Sequence, residues 1–407
     1  MNFRKTLITG SAAAAFGLLA GTAQAADTVP LCNDATMFPN PIVLSGSSAF
    51  EPTAALMAIK LSGLTGNDKV TLIYSASASC DGPKNILGST VLTGSADYWT
   101  VNATDPTKAD KHSCLMDGAN MKADVGVSDI FYENCPDGSA TVTGMVDTKG
   151  PVQAMLFVVP DTNTDSKNLT AAEAQLIWGC GMTGGVTPFT RDTTDTQQRD
   201  ANSGTQGIVA KAINVPPAGF KGLKNSTGGA LATAVTTSPN PGSAIGFLAA
   251  DAYDSRRTQL NALAFQGFKQ NKAYYADSTA DSFDKRNVRD GHYVVWGPEH
   301  FWAAADNAGK ITNQKAANFI GWVNGTATTA AFNYIDIEAA AGVIPQCAMK
   351  VTRDQDGPPV KLYTPAAPCG CYWESKATKT ATPPGCTACT DDSGCTGGKK
   401  CSNNFCE

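Results

Sequence analysis

The chain has 407 residues, of which 42% are hydrophobic and only 16% charged, with a formal net charge of −5 at pH 7. That acidic balance argues against a nucleic-acid partner, which wants a basic face. Beyond the first two dozen residues, no window approaches the roughly 20 apolar residues that a membrane crossing needs.

The N-terminus reads as an export signal. Arg4 and Lys5 precede an apolar, small-residue run from Leu7 to Gly21, and Ala23-Gln24-Ala25 supplies a small-x-small cleavage site, so residues 1–25 are expected to be removed. No cysteine lies near the cleavage site, so a lipid anchor is not expected. The remainder is long enough for two domains and is expected to be soluble, in the periplasm or secreted to the cell surface. All thirteen cysteines lie beyond the signal, and in an oxidising compartment most should pair. Thirteen is odd, so one thiol is left over or one bridge is intermolecular.

In chain order, short strand-like runs alternate with helical stretches. "PIVLSG" leads into the helical "FEPTAALMAIKL", and "VTLIYSA" leads into "GPKNIL". Residues 98–123 break the rhythm with a polar stretch, read as an inserted loop clamped through Cys114. "ADVGVSD" is strand and turn, "AMLFVV" a buried strand, "TAAEAQLIW" a helix, and a further helix covers Ile208 to Ile213. This alternation predicts an α/β protein with mostly parallel sheets. Eight of the thirteen cysteines, from Cys347 to Cys406, crowd into a loop-rich tail whose linkers show in "DQDGPPV" and "TPAAPCG".

In open α/β sheets ligands bind beyond the strand C-termini, where helices begin. Ser48 and Glu51 have capping-box spacing, as do Ser203 and Gln206, and Ser79 precedes the turn Asp81-Gly82-Pro83. Free N–H groups at such helix starts bind anions, more firmly beside hydroxyls and a guanidinium such as Arg199. No G-x-S-x-G elbow occurs, and His292, Glu299 and His300 match no metal-ligand spacing, so neither a hydrolase, a metal nor a cofactor is expected. The Cys-x-x-Cys of the tail reads as disulfide-bonded rather than zinc-binding.

Residues 42–325 resemble the periplasmic phosphate-binding proteins of the phosphate ABC transporter. "GSSAFEP" (Gly46 to Pro52) is similar to that family's first ligand loop and "SCDGPKNI" (Ser79 to Ile86) to its second. "DVGVSD" (Asp124 to Asp129) is similar to its acidic turn, "RDANSGT" (Arg199 to Thr205) to its arginine motif, and "GSAIGFLAADAY" to a later strand of the second lobe. The resemblance implies a non-enzymatic, two-lobed type II periplasmic-binding-protein fold. Residues 27–154 and 293–346 would form one lobe, 155–292 the other, and 347–407 a cysteine-rich tail, with hinge strands near "PVQAMLFVV" and "HYVVWG".

It further implies that Ser48, the N–H groups of Ala49 and Phe50, and Ser79 contact phosphate from one lobe, while Arg199, Ser203, Gly204 and Thr205 close from the other. Asp129 would accept the proton that hydrogen phosphate carries and sulfate lacks. An inner-membrane ABC permease is the implied partner. This sequence departs from the family in Ala49, where a hydroxyl residue is usual, and in Cys80 and Asp81. A surface protein that keeps the fold and interacts through its tail is the alternative reading.

Overall fold

The computed structural model describes residues 29–136, 138–329, 331–357 and 359–407. The expected export signal lies outside the described residues, among which no helix is long and apolar enough to cross a membrane.

The framework is a nine-stranded sheet. Six strands come from the first part of the chain: β1 (Ile42–Ser47), β2 (Leu72–Ser77), β3 (Ser95–Val101), β4 (Ala109–Leu115), β5 (Val125–Ser128) and β6 (Met145–Pro160). Three come later: β7 (Gly246–Ala249), β8 (Leu260–Ala262) and β9 (Trp296–Ala304). The order is β7-β6-β9-β5-β1-β2-β3-β4, with β8 also on β6. β1 runs parallel to β2 and β5, and all six of its residues are buried, as expected of a strand covered on both faces. The helices α1 (Glu51–Leu61) and α2 (Asp81–Leu87) follow β1 and β2 as the crossover connections.

Two lobes follow from the partners of β6. Its first part, from Met145 to Ala154, pairs antiparallel with β9; its second part, from Met155 to Pro160, pairs with β7 and β8. The partner change between Ala154 and Met155 is where the chain passes from one lobe to the other. The chain returns on β9, so both crossovers sit side by side at the junction. Around the second lobe's strands pack α3 (Ala171–Cys180), α4 (Gly204–Ile213), α5 (Gly228–Thr236), α6 (Ala250–Asp254) and α7 (Arg286–Arg289). The helices α8 (Gln314–Val323) and α9 (Tyr334–Ala341) follow β9. In the first lobe, Phe50, Phe301 and Phe319 form a buried T-shaped aromatic cluster. This is the two-lobed α/β fold, with hinge crossovers and a disulfide-rich tail, that the sequence predicts, but the sheet is not mostly parallel as expected: β1 is parallel to β2 and β5, while the crossover strands β6 and β9 and the β3–β4 hairpin pair antiparallel. The second crossover strand starts at Trp296, within the "HYVVWG" stretch.

Residues 98–123 are not a loop. β3 and β4 form an antiparallel hairpin in register from Ser95↔Leu115 to Val101↔Ala109, extending the sheet edge beyond β2. Polar residues fill it because most of both strands is solvated, which hid its strand character. Cys114 pairs with Cys32, and Cys80 with Cys135.

The tail pairs Cys347–Cys369, Cys371–Cys386, Cys389–Cys401 and Cys395–Cys406, leaving Cys180 as the free, exposed thiol. It also contains a helix, α10 (Gly370–Thr378), whose first N–H groups are capped by the Glu407 carboxylate, with Gly370 N donating to Oε2 at 2.7 Å. Trp373 is fully buried and donates to Val343 O at 2.9 Å, while Glu374 accepts from Arg286 and Arg289 at 2.6 Å each. Within the loop closed by Cys347–Cys369, the hairpin Val351–Thr352/Lys361–Leu362 carries a segment that touches both lobes. Asp356 accepts from Phe131 N at 3.1 Å and Asn134 Nδ2 at 2.7 Å, and Gly357 packs on Lys211 of α4. Arg353 lies 3.6 Å above the Trp296 ring at the crossover itself.

Candidate functional site

Where β1 ends, Gly46 adopts φ +125° and sits so close to Val127 O that a Cβ would lie 2.1 Å from it. Only glycine allows this approach, which brings β1, β5 and the start of α2 together. The chain then turns through a short 3-10 segment, Ser48–Phe50, into α1. The cap is Ser47, not the Ser48/Glu51 box read from spacing: Ser47 Oγ accepts from Ala49 N at 3.1 Å. Pro52 occupies the first turn of α1, where its missing N–H costs nothing.

Across the cleft, α4 begins at Gly204 with Ser203 as N-cap. Ser203 makes no side-chain cap bond, and Gln206 reaches instead to Pro217 O at 2.8 Å, so no capping box forms here either. The lobes meet directly at this point: Gly204 N donates to Ser79 Oγ at 2.9 Å, a buried bond. A Cβ on Gly204 would lie 2.3 Å from Ser79 Oγ and 2.7 Å from Asp129 Cβ, so the acidic turn is pressed against the helix start. The Cys80–Cys135 disulfide ties the turn after Ser79 to the one after Asp129, giving the unexpected Cys80 a structural role.

Above this contact lies an interlobe cavity of about 500 Å3. Of the expected ligand residues, Ser48, Ala49, Arg199 and Thr205 line it. Ser79, Asp129, Ser203 and Gly204 are buried beside the lobe contact and do not line it. The Phe50 side chain points into the first-lobe core, against Phe301. Arg199 is 5% exposed, and its guanidinium is fixed by Nε to Asn225 O at 3.2 Å and Nη2 to Ser226 O at 3.0 Å. Burial lowers its pKa, while Asp200 and Asp129 act in the opposite direction.

Beside Asp129, which the sequence singled out, stand two further carboxyl groups, Glu299 and Asp251, that it did not connect with it. Glu299, in β9, is wholly buried, and its pKa is raised well above the ordinary value, first by burial and then by Asp129. Burial likewise raises Asp129, against opposing contributions from Ser47, Glu299, Arg199 and Ser79. Glu299 Oε1 and Oε2 and Asp129 Oδ1 are buried without a hydrogen-bond partner among the described residues, and burial favours the neutral form of both groups. Asp251, in α6, lines the cavity and is pushed up to about 7, chiefly by burial, with Asp254 and Asp129 adding to the rise. Gln153, fully buried in β6, donates to Asp251 Oδ1 at 3.1 Å and Ala49 O at 3.4 Å, linking crossover, α6 and first loop. An amide inside the apolar run "GPVQAMLF" was the available signal, because a buried polar group needs partners.

His300 is buried, with Nδ1 at 2.7 Å from Asp147 Oδ2 and its ring edge-on to Phe131; it adjoins Glu299 in sequence as part of the crossover packing. His292 stacks on Tyr274, away from that pair. Among the described residues, the group with metal-ligand geometry is Cys389, Cys395 and Cys406, and all three are disulfide-bonded.

No family model matches the chain, and no curated protein matches it. Solved structures do. A substrate-binding protein from Clostridium perfringens, solved with bound phosphate, is 15% identical with a TM-score of 0.48, covering 75% of this chain and 99% of that one. An ABC-type phosphate transport receptor from Vibrio cholerae is 16% identical with a TM-score of 0.45, covering 74% and 99%. A phosphate-binding protein from Stenotrophomonas maltophilia is 12% identical with a TM-score of 0.43, covering 75% and 90%. At these values the likeness carries no argument about ligand, and the fold rests on the strand order and crossovers described above.

Proposed function

We propose that the protein is an extracytoplasmic solute-binding protein that captures phosphate between its lobes without chemical conversion and delivers it to an inner-membrane ABC permease. One observation carries this reading: Arg199, Ser48 and Thr205, drawn from both lobes, line a single cleft cavity. A guanidinium already held by two carbonyls is pre-organised to grip an oxyanion. In this reading the Ala49 and Phe50 N–H groups and the start of α4, with Ser203 and Gly204, add dipoles of the same sign. Ser79 adds a hydroxyl, and Asp129 accepts the proton of hydrogen phosphate. The division into 27–154 with 293–346, 155–292 and the 347–407 tail belongs to the same proposal, as does export through the N-terminal signal.

Isothermal calorimetry of the purified protein against phosphate and sulfate tests it. Phosphate is expected to bind and sulfate to bind at least tenfold more weakly; equal affinities would remove the role given to Asp129, and no heat with phosphate would refute the function. A chromogenic phosphatase assay is expected to show no turnover.

A further inference from the structure

The cavity is larger and more carbon-lined than a free oxyanion alone needs. A tetrahedral ion has five heavy atoms; at the roughly 30 Å3 that each water-sized group occupies, it fills about 150 Å3. The cavity holds about 500 Å3, within the roughly 300–1,000 Å3 range of sites that enclose small organic molecules. Its lining mixes polar and carbon groups: beside Ser48, Arg199 and Thr205 it includes Pro52, Ala55 and Trp99, and Leu248 and Ala252 lie next to Arg199, all three within 4.0 Å of the space a Cβ on Gly228 would fill. A hydrated inorganic ion gains nothing from the carbon groups of that wall, and a carbon substituent gains the transfer free energy of every group it buries there.

Trp99 reaches the cavity from the β3–β4 hairpin, the insertion that extends the sheet edge. Its indole is 5% exposed and packs edge-on to Tyr74 at 6.3 Å, so the wall is a fixed surface. The hairpin is held over α1 by Lys111, whose Nζ lies 2.5 Å from Glu51 Oε1 and 2.8 Å from Asp97 Oδ2. Ser255 and Arg256 also line the cavity. Arg256 Nη1 donates to Ala252 O at 3.1 Å and Ser255 Oγ at 3.2 Å, which fixes that part of the rim.

We infer that the cleft takes a phosphate monoester, its phosphoryl group beside Arg199 and its organic group against Trp99 and Ala252. The inference rests on the phosphate reading above and names the ligand class for the same site. The substituent replaces ordered water with carbon over the carbon groups of the wall, while the monoanion of the ester keeps one P–OH to donate.

The test is calorimetric titration of the full chain with inorganic phosphate and, separately, with phenyl phosphate as the probe ester. Phenyl phosphate is expected to bind at least tenfold more tightly. Ala252→Leu fills the space beside the wall and is expected to weaken phenyl phosphate at least tenfold more than it weakens inorganic phosphate. Trp99→Ala is expected to act in the same direction, with its unfolding midpoint measured because the indole is also a core contact. Tighter binding of inorganic phosphate than of the ester would overturn the inference and leave the phosphate reading standing. So would an ester affinity that Ala252→Leu does not change. Binding of neither compound would overturn both.

Discussion

Gly204→Ala probes lobe closure at one atom. The glycine opens α4 with an ordinary backbone conformation, so alanine there is unstrained and slightly favours the helix. In the closed arrangement the added Cβ meets Ser79 Oγ at 2.3 Å, Asp129 Cβ at 2.7 Å and Asp129 Oδ2 at 2.8 Å. The Ser79 hydroxyl can swing aside, at the loss of its bond to Gly204 N, about 1 kcal/mol. Asp129 Cβ cannot move without its backbone, and overpacking of this kind costs about 1–3 kcal/mol. The closed state should therefore lose about 2–4 kcal/mol, weakening a ligand that needs closure by about 30- to 1,000-fold. The unliganded protein relieves the contact by opening, so its thermal unfolding midpoint should be unchanged. Calorimetry with phosphate and a thermal melt read both quantities. A variant that binds within twofold of the parent would refute the reasoning, because it would mean that binding does not bring α4 onto the Ser79 and Asp129 turns.

Arg199→Met removes a charge-assisted contact, about 1.5–3 kcal/mol, and should weaken phosphate about 10- to 150-fold by calorimetry without changing the fold by circular dichroism. Asp251 keeps its proton in the folded state up to a pH of about 7, whereas an unfolded aspartate loses it near 3.9. Its raised pKa therefore makes stability fall as pH rises from about 4 to about 7. Asp251→Asn should flatten that slope in guanidinium melts between pH 5 and pH 8, and an unchanged slope would exclude Asp251 as its source. Replacing Cys80 and Cys135 together by serine opens a bridge with a sequence separation of 55. Loop-closure entropy puts the loss at about 4 kcal/mol, read as a lower denaturation midpoint.

The α/β framework was legible because buried β1 and the long apolar run of β6 carry their signals locally, and the strand-to-helix joints carry glycine, serine and proline; strand direction was not, since β6 and β9 pair antiparallel with all their partners. The β3–β4 hairpin was not legible, since a sheet edge solvated over most of its length has no apolar alternation to show. Spacing pointed to capping boxes at Ser48/Glu51 and Ser203/Gln206, but tertiary partners decided both: Ser47 caps the first turn, and Gln206 is taken by Pro217 O. The association of Asp129 with two other carboxyl groups was hidden for a different reason. Asp129, Asp251 and Glu299 come from β5, α6 and β9, and only the fold brings them under one cavity, where burial rather than any motif sets their protonation.

The segment around Asp356 has a mechanical consequence. It is anchored by hydrogen bonds to Phe131 and Asn134 on one side and lies against Lys211 on the other, with Arg353 seated on the crossover tryptophan. Any wide swing of the halves must peel it from one flank, so it acts as a tether beside the pivot. A molecule restrained in this way would part its halves only by a short stroke, limited by the segment from Arg353 to Gly357.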